Sequence, residues 1–157
     1  MTSNDLFQKL IEEGKLKTQK TNVQYLNNLI HSAKRNFDAS SLIKGKIDEA
    51  AFKLCYDGLL QIGRVILLLN GFRPDDGEQH KTTFFVAGKI LGPEYLTLIK
   101  KIQKYRIKRN NCIYDPKIFI TKAEAENIHK TAQKFWSKVR IYLSGLNSQL
   151  ELFDELK

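Results

Sequence analysis

Apolar positions along this chain recur at alternating threes and fours almost everywhere, which is the period of a helix with one buried face. Val23, Leu26, Ile30, Ala33 and Phe37 trace a first amphipathic helix that Ser40 and Ser41 are expected to end. A second seam runs Ile47, Ala51, Leu54, Gly58, Ile62, Val65 and Leu69, widened by Leu59, Ile66 and Leu67, and predicts the most buried helix. Gly71 and Pro74 stop it. A short third helix is predicted over Lys81–Gly88, and Gly92-Pro93 opens a fourth that ends at Tyr114, before Asp115-Pro116. Thr121 and Glu124 have capping-box spacing ahead of a fifth seam of Ala125, Ile128, Ala132, Phe135, Val139 and Tyr142. Leu146, Leu150 and Phe153 continue it as a C-terminal helix beyond Gly145, and Leu6, Leu10 and Ile11 mark a short helix near the start.

No run of period-two alternation argues for a strand; Ile118-Phe119-Ile120 is too short. The expectation is an all-α fold, an antiparallel up-and-down bundle of four to five main helices. Residues 1–22 read as a short helix and linker, and residues 23–157 as one bundle domain. At 157 residues with 42% apolar content, the chain can bury a core without disulfides or metals.

The fourth seam contains the departure that points to chemistry. Tyr95, Leu98, Ile102 and Tyr105 are followed, at the next step, by Arg109. A guanidinium at a core-facing position is costly unless it is paired, exposed at a cleft or offered to an anion. Lys100, Lys101, Lys104, Arg106 and Lys108 surround it, with no acidic residue between Tyr95 and Tyr114. The net charge of +9 makes a polyanion a natural partner, nucleic acid first and an anionic surface second. At about 100° per residue, Arg106, Asn110 and Tyr114 share a line, with Arg109 beside it. Arg109, Asn110 and Tyr114 are therefore expected to converge near the helix end, a guanidinium to fork onto phosphate, an amide and a phenol to orient it. The bland alternatives are that Arg109 pairs with an acid of a neighbouring helix, Asp57 or Glu49, and that the lysines form a solvated face.

Other chemistry is sparse. Two isolated cysteines, Cys55 and Cys112, and three scattered histidines, His31, His80 and His129, have no metal-ligand spacing, so neither metal nor cofactor is expected. His80 reads as a capping or turn residue, His31 and His129 as surface or boundary positions, and Trp136 as packing. The polar N-terminus lacks a signal-peptide core and the run Val65–Leu69 is too short for a membrane span, so a cytoplasmic protein with no membrane partner is expected.

Tyr56-Asp57-Gly58-Leu59-Leu60-Gln61-Ile62-Gly63-Arg64, then Asn70-Gly71-Phe72-Arg73-Pro74 and Gly77-Glu78-Gln79-His80-Lys81-Thr82, together with Arg109-Asn110-Asn111-Cys112-Ile113-Tyr114, resemble the HEPN domain family over roughly Val23 to Leu143. The family motif is an Arg, often followed by a polar residue, and a His after four to six further positions; here Tyr114 stands where His is usual. The resemblance implies a helical bundle that dimerises across a cleft. It also implies a metal-independent endoribonuclease, often a toxin or defence component encoded beside a nucleotidyltransferase antitoxin. It assigns the scissile phosphate to Arg109, orientation to Asn110 and hydrogen bonding or protonation to Tyr114. Lys101, Lys104, Arg106 and Lys108 surround that motif as RNA-binding cations. A non-catalytic bundle that binds RNA or a nucleotide, and a helical protein-interaction module, are the alternatives. An unperturbed phenol is a poor base at neutral pH, whereas an imidazole exchanges protons there.

Overall fold

The central element of the fold is the helix with the widest apolar face. In a computed structural model describing residues 1–157, six α-helices and one two-stranded ribbon follow in the order α1 (Ser3–Glu12), β1 (Leu16–Thr18), α2 (Val23–Ile43), α3 (Asp48–Leu69), β2 (Phe72–Pro74), α4 (Gln79–Leu91), α5 (Leu96–Tyr114) and α6 (Lys122–Leu146). The protein is an all-α helical bundle in which α3 packs against α2, α4, α5 and α6. Its residues Tyr56, Leu59, Ile62, Val65 and Ile66 are fully enclosed.

Small residues set how closely the neighbours approach. A Cβ added at Gly58 would lie 2.7 Å from the Phe37 ring of α2, and one at Gly63 would lie 3.0 Å from Thr83 of α4. Gly92, at φ 102°, makes the turn that α4 needs before a single 3₁₀ turn, Pro93–Tyr95, leads into α5. The expected capping box at Thr121 and Glu124 starts α6, and a second box at Thr2 and Asp5 starts α1. No helix is long and apolar enough to cross a membrane.

Four local expectations are corrected. α2 passes through Ser40 and Ser41 to Ile43, because Ser40 is buried and its hydroxyl donates to the Ala51 carbonyl at 2.6 Å. α4 runs longer than Lys81–Gly88 at both ends. The stretch after α1 pairs Leu16, Lys17 and Thr18 with Pro74, Arg73 and Phe72 as an antiparallel ribbon, so a small strand pair does exist. Phe7, Leu10 and Leu16 thereby join the same core as the bundle helices.

The fourth correction concerns the C-terminus. Residues 147–157 form no helix and instead lie against α2 and α6. Trp136, fully buried as expected of a packing residue, stacks on Phe153 at 3.9 Å and donates its indole N–H to the Phe153 and Asp154 carbonyls. His129 is buried rather than at the surface, its Nε2 2.9 Å from the Lys157 carbonyl. Side chains of α2 and α6 bond the Gln149, Phe153, Asp154, Leu156 and Lys157 carbonyls and the Glu151 N–H, which holds the segment without helical hydrogen bonds.

Candidate functional site

Arg109 sits where the α5 seam turns toward α3, and the helix geometry leaves it facing Tyr56 and Asp57. Its Nη2 is 3.6 Å from Asp57 Oδ1, and its guanidinium carbon lies 5.3 Å from the centre of the Tyr56 ring. Of the two internal acids open to it in the sequence, Asp57 is therefore its partner; Glu49 pairs with Lys53. The contact is a single long one, and Arg109 Nε is buried without a hydrogen-bond partner. Arg109 is 22% exposed and Asp57 40%, so the pair lies at the wall of the bundle and not in its centre.

The Asp57 carboxyl is held above its ordinary pKa: burial raises it more than Arg109 and His80 lower it. The ion pair thus fails to offset the loss of water around the carboxylate, so the attachment is a weak one.

On the other side of Tyr56 lies His80. Tyr56 Oη is 3.2 Å from His80 Nδ1. Burial pushes the Tyr56 phenol well above its usual range, so it stays protonated. It either donates to Nδ1 of the Nε2–H tautomer or accepts from Nδ1–H and leaves Nε2 as an acceptor. Only the second arrangement presents a base. Burial first, then the positive charge of Arg109, lowers the His80 pKa, while Asp57 opposes the shift; Arg106 and Arg64 add smaller downward pushes. The imidazole is consequently neutral at pH 7. His80 is not a cap: Glu78 holds the N-cap position of α4, and the imidazole reaches across to α3. Sequence reasoning missed it, because the spacing signals of α3 and α4 say nothing of which side chains meet between them.

The other expected residues divide. Asn110 is half-buried and makes no side-chain hydrogen bond, and Tyr114 is 84% exposed with no partner. Arg106 bonds Gln103 through its Nε at 2.7 Å, and Gln103 in turn donates to the Lys81 carbonyl, which keeps Arg106 on the α4 side near His80. Lys108 is paired with Glu124 at 3.2 Å. Lys101 and Lys104 line a cleft toward α6. The basic set of α5 is therefore split over two faces. Cys55 and Cys112 are buried free thiols, and no group of three or more His, Cys, Asp or Glu side chains comes together to hold a metal.

A guanidinium on an aromatic face, a neutral imidazole and a weakly held carboxylate thus meet at one wall. That set can receive an anion and exchange a proton beside it. No family model, curated protein or solved structure matches the chain.

Proposed function

We propose that the protein is a HEPN-like bundle that binds RNA and cleaves it without a metal. The observation that carries the reading is the meeting of Arg109, Tyr56, Asp57 and His80 at one partly open wall. Arg109 holds the scissile phosphate on the side its single long contact with Asp57 leaves free, and stabilises its growing charge. The ribose 2′-oxygen attacks phosphorus, the P–O5′ bond breaks, and the leaving 5′-oxygen takes a proton from solvent, giving a 2′,3′-cyclic phosphate and a 5′-hydroxyl. His80, neutral at pH 7, takes the 2′-hydroxyl proton, a task that an exposed phenol at Tyr114 performs poorly. Asn110 and Arg106 flank the phosphate. Pairing of two copies and control by a nucleotidyltransferase partner belong to the same reading, and the exposed Tyr114 phenol is accessible to such a partner.

Labelled single-stranded RNA incubated in EDTA with the wild type, Arg109→Ala and His80→Ala tests this. Fragments from the wild type alone are expected, with DNA of the same sequence left intact. Equal fragment patterns from the wild type and Arg109→Ala overturn the reading. A second reading, RNA binding without cleavage, is favoured by the existing Arg109–Asp57 pair. It is supported instead if binding is salt-sensitive and no variant cuts.

A further inference from the structure

Two lysines of α5 face away from the Arg109 wall. Lys101 and Lys104, one helical turn apart, line a cleft of about 380 Å³ between α5 and α6, and Lys130 and Lys134 of α6 line its opposite side. No carboxylate lines this cleft, and none of the four lysines has an acidic partner within ion-pair distance. Lysines just beyond it differ. Lys108, the next step of the α5 row, is paired across to Glu124, and Lys44 is paired with Glu126. The Lys108–Glu124 pair lies about one turn further along both helices, outside the lining of the cleft. Within the lining the Tyr105 and Thr131 hydroxyls are 2.9 Å apart, and the Tyr105 ring packs edge-on against buried Phe52.

We propose that Lys101, Lys104, Lys130 and Lys134 form a second contact for the phosphate backbone of single-stranded RNA, separate from the Arg109 wall. This rests on the reading that RNA is the ligand, and extends it to where the strand runs. Four cations held close together without a carboxylate in direct ion-pair contact repel one another, with Glu126 acting on Lys130 only from a distance, and a row of phosphates offsets that repulsion while releasing its condensed counterions. The rows suit a linear polyanion: Lys130 and Lys134 are spaced by about 6 Å along the α6 axis, and Lys101 and Lys104 by about 4.5 Å along α5. Apart from Tyr105 the lining is polar, which disfavours a lipid surface or an amphipathic peptide, since both need apolar anchors. A positively charged groove that tracks the backbone is one of the devices of sequence-tolerant single-strand binding.

The test is the salt dependence of binding to a short, non-cleavable 2′-O-methyl RNA, measured by fluorescence anisotropy. Four released contacts flatten the slope of log K against log salt by up to about 2.8, and weaken binding at 0.1 M salt by on the order of a hundredfold. That loss is expected for the fourfold Lys→Ala variant at 101, 104, 130 and 134, while the matching Lys→Arg variant keeps the wild-type slope. A control removing the same charge at exposed Lys20, Lys46, Lys117 and Lys122 is expected to change the slope far less. Equal slopes for the cleft variant and this control overturn the proposal. So does dependence of an acidic peptide, and not of RNA, on the four lysines. A dinucleotide carries a single phosphate, which Arg109 would hold, so cleavage of a dinucleotide by the wild type tests the ribonuclease reading without the cleft. Set against the salt slope of the cleft variant on the longer RNA, it separates failure of this proposal from failure of the ribonuclease reading.

Discussion

Replacing Asp57 by Asn should strengthen RNA binding. The carboxylate touches the guanidinium at 3.6 Å, and a phosphate oxygen received on the free side of Arg109 would lie roughly 6 to 7 Å from it. Two unit negative charges at that separation repel by about 0.6 kcal/mol in a water-like medium and about 2.5 kcal/mol at an effective dielectric constant of about 20. Removing one charge therefore raises affinity by roughly threefold to about seventyfold. Asp57 is 40% exposed, which screens it and places the expected gain near the lower end, about fivefold. Anisotropy titrations with non-cleavable RNA measure the gain directly. In the Arg109→Ala background the gain should vanish, because the phosphate no longer has a seat beside residue 57. Weaker binding by Asp57→Asn would mean that the carboxylate orients Arg109 for its ligand and does not compete with it, refuting this reasoning.

Three further outcomes follow from the packing and the buried titrating groups. Phe153→Ala should lower the stability of the whole bundle by about 2 kcal/mol in urea titration, since Trp136 loses its stacked partner at 3.9 Å; an unchanged midpoint would show that the tail contributes nothing. Gly58→Ala gains helix propensity but drives a methyl to 2.7 Å from the Phe37 ring, and a net loss of about 1 kcal/mol is expected by thermal unfolding. His80 has a lowered pKa in the folded state, so its contribution to stability is complete above the usual imidazole value of about 6.5 and is lost as pH falls through the folded value. His80→Asn should therefore reduce the acid sensitivity seen between pH 7 and pH 5, leaving the part due to His129, which shifts in the same direction; an identical pH profile would contradict the assigned environment.

What was readable in advance followed the range of the interaction. Seams such as Val23–Phe37 and Ile47–Leu69, and the Thr121/Glu124 box, are set by residues within one or two turns, and their helices appear where expected. The β1–β2 ribbon was not readable, because three-residue strands carry no periodic signal and their partners are more than fifty positions apart. The tail was misleading for a related reason: Leu146, Leu150 and Phe153 have helical spacing, yet α6 stops at Leu146 and Phe153 packs against Trp136 and Phe37 of α2, which no local pattern encodes. Within the site, Arg109 announced itself by interrupting an apolar seam. His80 did not, since only the packing of α4 on α3 brings it to Tyr56. Likewise Lys130 and Lys134 acquire meaning only once α6 lies beside α5.

An RNA phosphate received at Arg109 would sit beside Tyr56 and the His80 ring that contacts it. Histidine-resolved NMR of the wild type with non-cleavable single-stranded RNA tests it most directly. The His80 ring signals should shift on binding, and the His80 pKa should rise as the phosphate offsets the positive charge of Arg109 beside it. Perturbation confined to the neighbourhood of Tyr114, with His80 unmoved, would contradict the account.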